Sequence, residues 1–270
     1  MQNIWKAIPT WLKSILIGFI FFIPIVTIIQ LLVFRNVNSF SEVPWGAIIA
    51  IVLLVFYWQF VSGKEYPFGK SLFRSKYSGI QWRKSIKIAD TLKIGLSLLM
   101  FIFSVNSVGF ALFSAEDTVQ LATIKLIGTA PTQTAIFLYL ALALTAGIVE
   151  EIVFRGYIQR MMIEKYGLKI SFLFVAIIFS LIHFLPSALY LPYFLVSLAF
   201  SWVAYTTGSV IVGIIAHAAF DFIAFLFIYY DAIYVNAQHL NSNISLNLLI
   251  AVVTSLLLWR EGSKLLPKEN

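Results

Sequence analysis

The feature that most constrains this chain is a succession of long apolar runs separated by short polar breaks. They fall at about 14–34, 45–61, 94–114, 132–154, 170–185, 188–206, 209–230 and 244–259. A helix crossing a bilayer needs about 20 apolar residues, so each run is a candidate span, some of them short. The chain is 60% hydrophobic and 11% charged. A soluble domain carries about 25% charged residues, so too few are present here to cover a surface facing water. The first run follows Lys6 and Lys13. It is longer than a signal-peptide core of about 7–15 residues, and no small-residue cleavage site follows it. It reads as a retained first helix. Cysteine is absent, which excludes a disulfide framework, a thiol nucleophile and a Cys-ligated metal.

The distribution of lysine and arginine orients these runs. With the N-terminus inside, Arg35 and Lys125 are the only basic residues on the outer side, and the other 17 of 19 fall on the inner side or the inner half of the fourth helix. Basic residues stay on the cytoplasmic side. The expectation is an all-α integral membrane protein of about eight transmembrane helices, with N- and C-termini cytoplasmic. The net charge of +7 then reflects orientation, and a nucleic-acid partner is not expected. Three regions follow: 1–130, holding three helices and a basic loop at 62–93; 131–230, helices four to seven; and 231–270, the last helix and a tail. The basic loop, with Phe68, Phe73, Tyr77 and Trp82 interleaved, reads as a solvated inner loop rather than a lipid-bound surface helix.

Ionisable groups inside the hydrocarbon are costly and need a partner or a purpose. Between residues 132 and 230, once the inner loop is set aside, they are Glu150, Glu151, Arg155, His183, His217 and Asp221. The third histidine, His239, falls in a polar outer loop. Glu151 and Arg155 stand four apart and can pair on one helix face. Glu150 is rotated from Glu151 by about 100°, so one carboxylate can be neutralised while the other stays free to titrate. His217 and Asp221 are also four apart, and Asp221 could fix the imidazole tautomer. Phe179 lies one turn before His183 and can wall the site. If the fourth helix ended at Phe154, Glu150 and His183 could not meet. The spacing therefore predicts that this helix runs on to about Lys165, beside a water-filled cavity. The aromatic residues Tyr190, Tyr193, Phe194, Phe200 and Trp202 read as packing or lipid contact.

The segments Glu150-Glu151-Ile152-Val153-Phe154-Arg155, Phe179-Ser180-Leu181-Ile182-His183 and His217-Ala218-Ala219-Phe220-Asp221 resemble the three motifs of the CPBP family. These are the CAAX prenyl endopeptidases and the bacteriocin-processing or immunity membrane proteins, also called Abi proteins. The resemblance covers roughly 132–230. It departs at Asp221, where the prenyl endopeptidase branch usually has Asn and many bacterial members have Asp. The departure argues against a prenyl-protein substrate.

The resemblance implies an intramembrane endopeptidase of the bacterial cytoplasmic membrane acting on a membrane-associated peptide or protein. It implies that Glu150, helped by His183, activates a water, and that His217 and Asp221 polarise the scissile carbonyl. Arg155 would orient Glu151 and offset its charge. Glu150, His183 and His217 are suitable zinc ligands should the site hold a metal, while a metal-free scheme explains the same residues. Two other classes remain. A catalytically silent scaffold or immunity protein would bind a peptide or a sensor kinase through the same fold. A proton-coupled transporter would use buried carboxylates and histidines as a relay, but neither paired broken helices nor an internal repeat is present.

Overall fold

A computed structural model describes residues 8–62, 87–113, 119–183, 189–234 and 244–266. Among them the chain is all helix, with no strand: α1 Thr10–Asn38, α2 Trp45–Ser62, α3 Ile88–Phe113, α4 Val119–Ile127, α5 Thr132–Tyr166, α6 Leu168–Leu181, α7 Tyr190–Thr207, α8 Ile211–Tyr234 and α9 Ile244–Ser263. Four of these carry segments long and apolar enough to cross a membrane: Ile88–Gly109, Thr132–Tyr166, Ile211–Tyr230 and Ile244–Ser263. Phe22–Asn38, Trp45–Gln59 and Leu168–Leu181 are shorter apolar helices. The basic stretch 63–86 and His239 lie outside the described residues.

The fourth helix of the sequence reading is α5, and it extends to Tyr166. It follows Pro131, whose fixed φ and missing N–H suit the start of a helix. Its middle, Ala146–Ile158, is π-helical. There the backbone bonds reach five residues back, as from the Gln159 N–H to the Phe154 carbonyl. Gly167 then ends it at φ 78°, a conformation that favours glycine, and α6 begins at the next residue. Gly208, at φ 65°, ends α7 in the same manner before α8. The break at Gly167 sets α6 against α5, the break at Gly208 sets α8 against α7, and α5 also neighbours α7 and α8.

Two structural details differ from the sequence expectation. The short helix α4 was not expected. It packs on α5 and α8, and the Tyr139 hydroxyl donates to the Ile124 carbonyl at 2.8 Å. The helix expected at 170–185 ends at Leu181, so His183 sits in the turn beyond it. Its backbone N–H donates to the Ser180 carbonyl at 3.3 Å.

One apolar cluster gathers Ile29 and Val33 from α1, Leu54 from α2, Leu138, Ile152 and Val153 from α5 and Phe179 from α6. A second joins Leu98 and Ile102 of α3 to Phe200 and Val203 of α7, Val212 of α8 and Leu258 of α9. The outer faces expose large apolar side chains instead, including Leu31, Val52, Leu96, Leu256 and Trp259. Lipid is as apolar as these side chains, so burial alone does not hold such helices together, and close packing and polar ties must contribute. A Cβ at Gly147 would lie 2.8 Å from the Ile214 carbonyl and 2.9 Å from the Ala218 Cβ. Glycine there lets α5 press directly on the α8 backbone.

Candidate active site

The six residues singled out from the sequence converge in the interior. Glu150, Glu151 and Arg155 project from the π-helical middle of α5, His183 from the turn after α6, and His217 and Asp221 from α8. Glu150, Glu151, Arg155 and His217 are buried. Arg155 Nη1 donates to Glu151 Oε1 at 3.0 Å, the pairing the spacing predicts. Arg155 Nη2 donates to Ser197 Oγ at 2.8 Å on α7. The guanidinium lies over the rings of Phe179 at 4.4 Å and Phe200 at 5.0 Å. It is thus held by an ion pair, a hydroxyl and two aromatic faces.

The partner of His217 differs from the expectation. Its Nδ1 lies 3.0 Å from Glu151 Oε1, whereas Asp221 Oδ2 is 3.7 Å from Nε2, beyond direct hydrogen-bond reach. The reason is the packing of α8 on α5: the 217 ring crosses to the neighbouring helix and finds a carboxylate nearer than the one on its own helix. Glu151 therefore accepts from both Arg155 and His217. A carboxylate accepts only, so the proton of this bond sits on His217 Nδ1. His183 is fixed in the same sense, since its Nδ1 is 2.7 Å from the Phe179 carbonyl. In the neutral rings both Nε2 atoms then present a lone pair.

Both Nε2 atoms face Glu150. Oε2 of Glu150 is 3.8 Å from His183 Nε2 and 3.9 Å from His217 Nε2, and it has no hydrogen-bond partner. At this range the groups do not bond one another, and a shared oxygen can bridge them. Residues 132–223 match the family model of the type II CAAX prenyl endopeptidases, Rce1-like. This is the CPBP/CAAX protease family that the three motifs resemble, and the match spans all of them. No curated protein and no solved structure matches the chain.

Four residues the sequence reading did not assign to the site also border it. Tyr193 packs on His183 with ring centroids 4.8 Å apart, and Phe200 packs on His217 at 5.1 Å. Ser197 holds Arg155, as described. A Cβ at Gly213 would lie 3.0 Å from Glu151 Oε2. Tyr193 and Phe200 are thus walls of the site, not simple packing or lipid contacts. Trp202, grouped with them in sequence, instead stacks on Trp259 at 4.6 Å and donates from Nε1 to the Leu258 carbonyl. One signal did exist in sequence. Ser197 and Ser201 are four apart in a strongly apolar helix, a spacing that brings small polar groups to a single interhelical face.

The donors Glu150, His183 and His217 are of the type that zinc accepts. Their separations of 3.8 and 3.9 Å exceed the roughly 3.3–3.4 Å edge of a tetrahedron built on zinc–ligand bonds of about 2.0–2.1 Å. Among the described residues, no group of three or more His, Cys, Asp or Glu side chains has the arrangement of a metal site.

Proposed function

We propose that the protein is an intramembrane endopeptidase in which Glu150 activates the attacking water. The observation that carries this reading is the convergence of His183 Nε2 and His217 Nε2 on Glu150 Oε2, at 3.8 and 3.9 Å, inside an apolar body. The similarity of residues 132–223 to a family of CAAX-type proteases supports the same chemistry. A water seated on Glu150 Oε2 and His183 Nε2 gives up a proton to Glu150 as its oxygen attacks the scissile carbonyl. His217, once a second proton on Nε2 makes it an imidazolium, and Asp221, when protonated, border the other side of this space and polarise the carbonyl by donating to its oxygen. The proton passes on to the leaving amine as the C–N bond breaks. Arg155 and Glu151 do not touch the reacting atoms. They hold His217 through Nδ1, so its other nitrogen faces the reaction.

The positions of the basic residues support eight crossings with both termini cytoplasmic, in a cytoplasmic membrane of bacterial type. The substrate is a membrane-associated peptide or the membrane-proximal end of a protein. Bacteriocin precursors, signalling-peptide precursors and signal-peptide remnants are all of this class. The test is membrane and secreted peptidomics on wild type, deletion and Glu150→Ala strains at matched expression. A peptide or new terminus lost in both the deletion and Glu150→Ala is the expected result. If the deletion changes the peptidome and Glu150→Ala does not, the fold acts as a binding scaffold and the catalytic reading fails.

A further inference from the structure

The helices α5 and α7 carry polar side chains in step beyond the site. Arg155 and Gln159 are four apart on α5, and Ser197 and Ser201 are four apart on α7. Arg155 Nη2 bonds Ser197 Oγ at 2.8 Å, and Gln159 Nε2 bonds the Ser201 carbonyl at 2.9 Å. Each rung nevertheless leaves polar atoms over. Arg155 Nε, Gln159 Oε1 and Ser201 Oγ have no protein partner, although these residues are only 1%, 1% and 0% exposed. Glu151 Oε2, next towards the site, is in the same position. It packs close to Gly213, where a Cβ would lie 3.0 Å from it. Beyond the other end of the ladder, Arg160 Nη2 donates to the Gly208 carbonyl at 2.9 Å, where α7 stops.

Orphaned polar atoms are rare in protein interiors and rarer still at membrane depth, where no bulk solvent compensates them. Three belong to residues tied across the α5–α7 seam and the fourth, Glu151 Oε2, lies at its site end beside Gly213 of α8, and the four have a common explanation. Successive rungs on α7 are about 6 Å apart. A single water bonding in both directions spans that distance, and buried waters occupy sites that offer at least two such partners.

We propose that a file of ordered waters runs between α5 and α7, from Glu151 past Arg155, Gln159 and Ser201 to the Arg160–Gly208 end, and is the inlet for the water that the site consumes. Its role as an inlet rests on the protease reading, whereas its existence does not. Each peptide bond cleaved uses one water. The oxygen ends in the new carboxylate, and both hydrogens end on the new ammonium group. The site must refill after each turnover, and the ladder is a polar route to it apart from the side on which the substrate enters.

The native chain has no cysteine, so a single introduced thiol can be followed without background. Ser201→Cys and Ser197→Cys are near-isosteric, and each is purified and checked for a monodisperse gel-filtration peak. Silver ion, small enough to follow a file of waters, is added, and thiols left unreacted are counted with a maleimide after denaturation. Val203→Cys and Ala176→Cys, at 1% and 0% exposure, are the dry controls. Ser201→Cys and Ser197→Cys are expected to react at least about tenfold faster, because the control sites react only through local opening. Equal rates at all four positions would overturn the proposal. The same measurement in a Glu150→Gln background separates the two readings. Fast thiols there, with proteolysis retained, would leave the file standing and remove Glu150 from the chemistry.

Discussion

Removing the positive charge of Arg155 is expected to destabilise the fold far more than its contribution to packing. The guanidinium is 1% exposed, pairs with Glu151 at 3.0 Å and has Ser197 Oγ at 2.8 Å. Arg155→Leu keeps an apolar side chain between Phe179 and Phe200 but leaves the Glu151 carboxylate buried with only His217 beside it. Breaking one partner out of a buried ion pair costs about 3–5 kcal/mol, because the remaining charge stays desolvated. Glu151→Gln added to Arg155→Leu removes that charge and keeps an oxygen to accept from His217 Nδ1. The double variant is therefore expected to recover more than about 1 kcal/mol relative to the single one, within the usual range for coupled contacting residues. Unfolding by SDS in mixed micelles, with all four members of the cycle measured together, gives the energies. The reasoning is refuted if Arg155→Leu lies within about 1 kcal/mol of the unsubstituted protein, the ordinary effect of a harmless substitution. A double variant no more stable than Arg155→Leu refutes it equally.

Further outcomes follow from the same geometry. Glu150→Gln is expected to lower cleavage of a purified substrate by about 10²–10⁴-fold, the usual contribution of general acid–base catalysis. Its unfolding midpoint should not fall, because Glu150 Oε2 has no partner to lose; a lower midpoint would count against that arrangement. His217→Asn, whose amide can stand in for Nδ1–H towards Glu151, should be more stable than His217→Ala yet equally inactive. Equal stability of the two would deny the Glu151 bond its structural role. Gly147→Ala should destabilise by about 1–3 kcal/mol through overpacking against Ile214 and Ala218, measured by the same unfolding assay. Prolonged chelation is expected to leave cleavage unchanged. A loss restored by zinc alone would instead put the ion on Glu150, His183 and His217.

The buried ionisable residues of the candidate site are legible in the sequence, because burying a charge in an apolar helix is too costly to be incidental. Glu150, Glu151, Arg155, His183, His217 and Asp221 were all visible for that reason, and the need for Glu150 to meet His183 required the long α5. What remained hidden depends on rotation of one helix against another. The bond between His217 and Glu151 joins residues 66 apart, and no spacing rule along one helix reports it. Tyr193 and Phe200 could not be told from lipid-facing aromatics, since hydropathy is the same on both sides of a membrane helix. The helix α4 is nine residues long, too short for an apolar-run search tuned to bilayer thickness.

The π-helical stretch Ala146–Ile158 makes the site more sensitive to chain length than to composition. A substitution within it alters one side chain and leaves the frame intact. Deleting a single residue between Gly147 and Val149 would instead shift both glutamates relative to everything upstream, turning them about 100° around the axis wherever ordinary helical spacing resumed. The carboxylates would then face away from His183 and His217 with every chemical group still present. The register of one backbone segment, as much as any functional group, is what this site has to inherit unchanged.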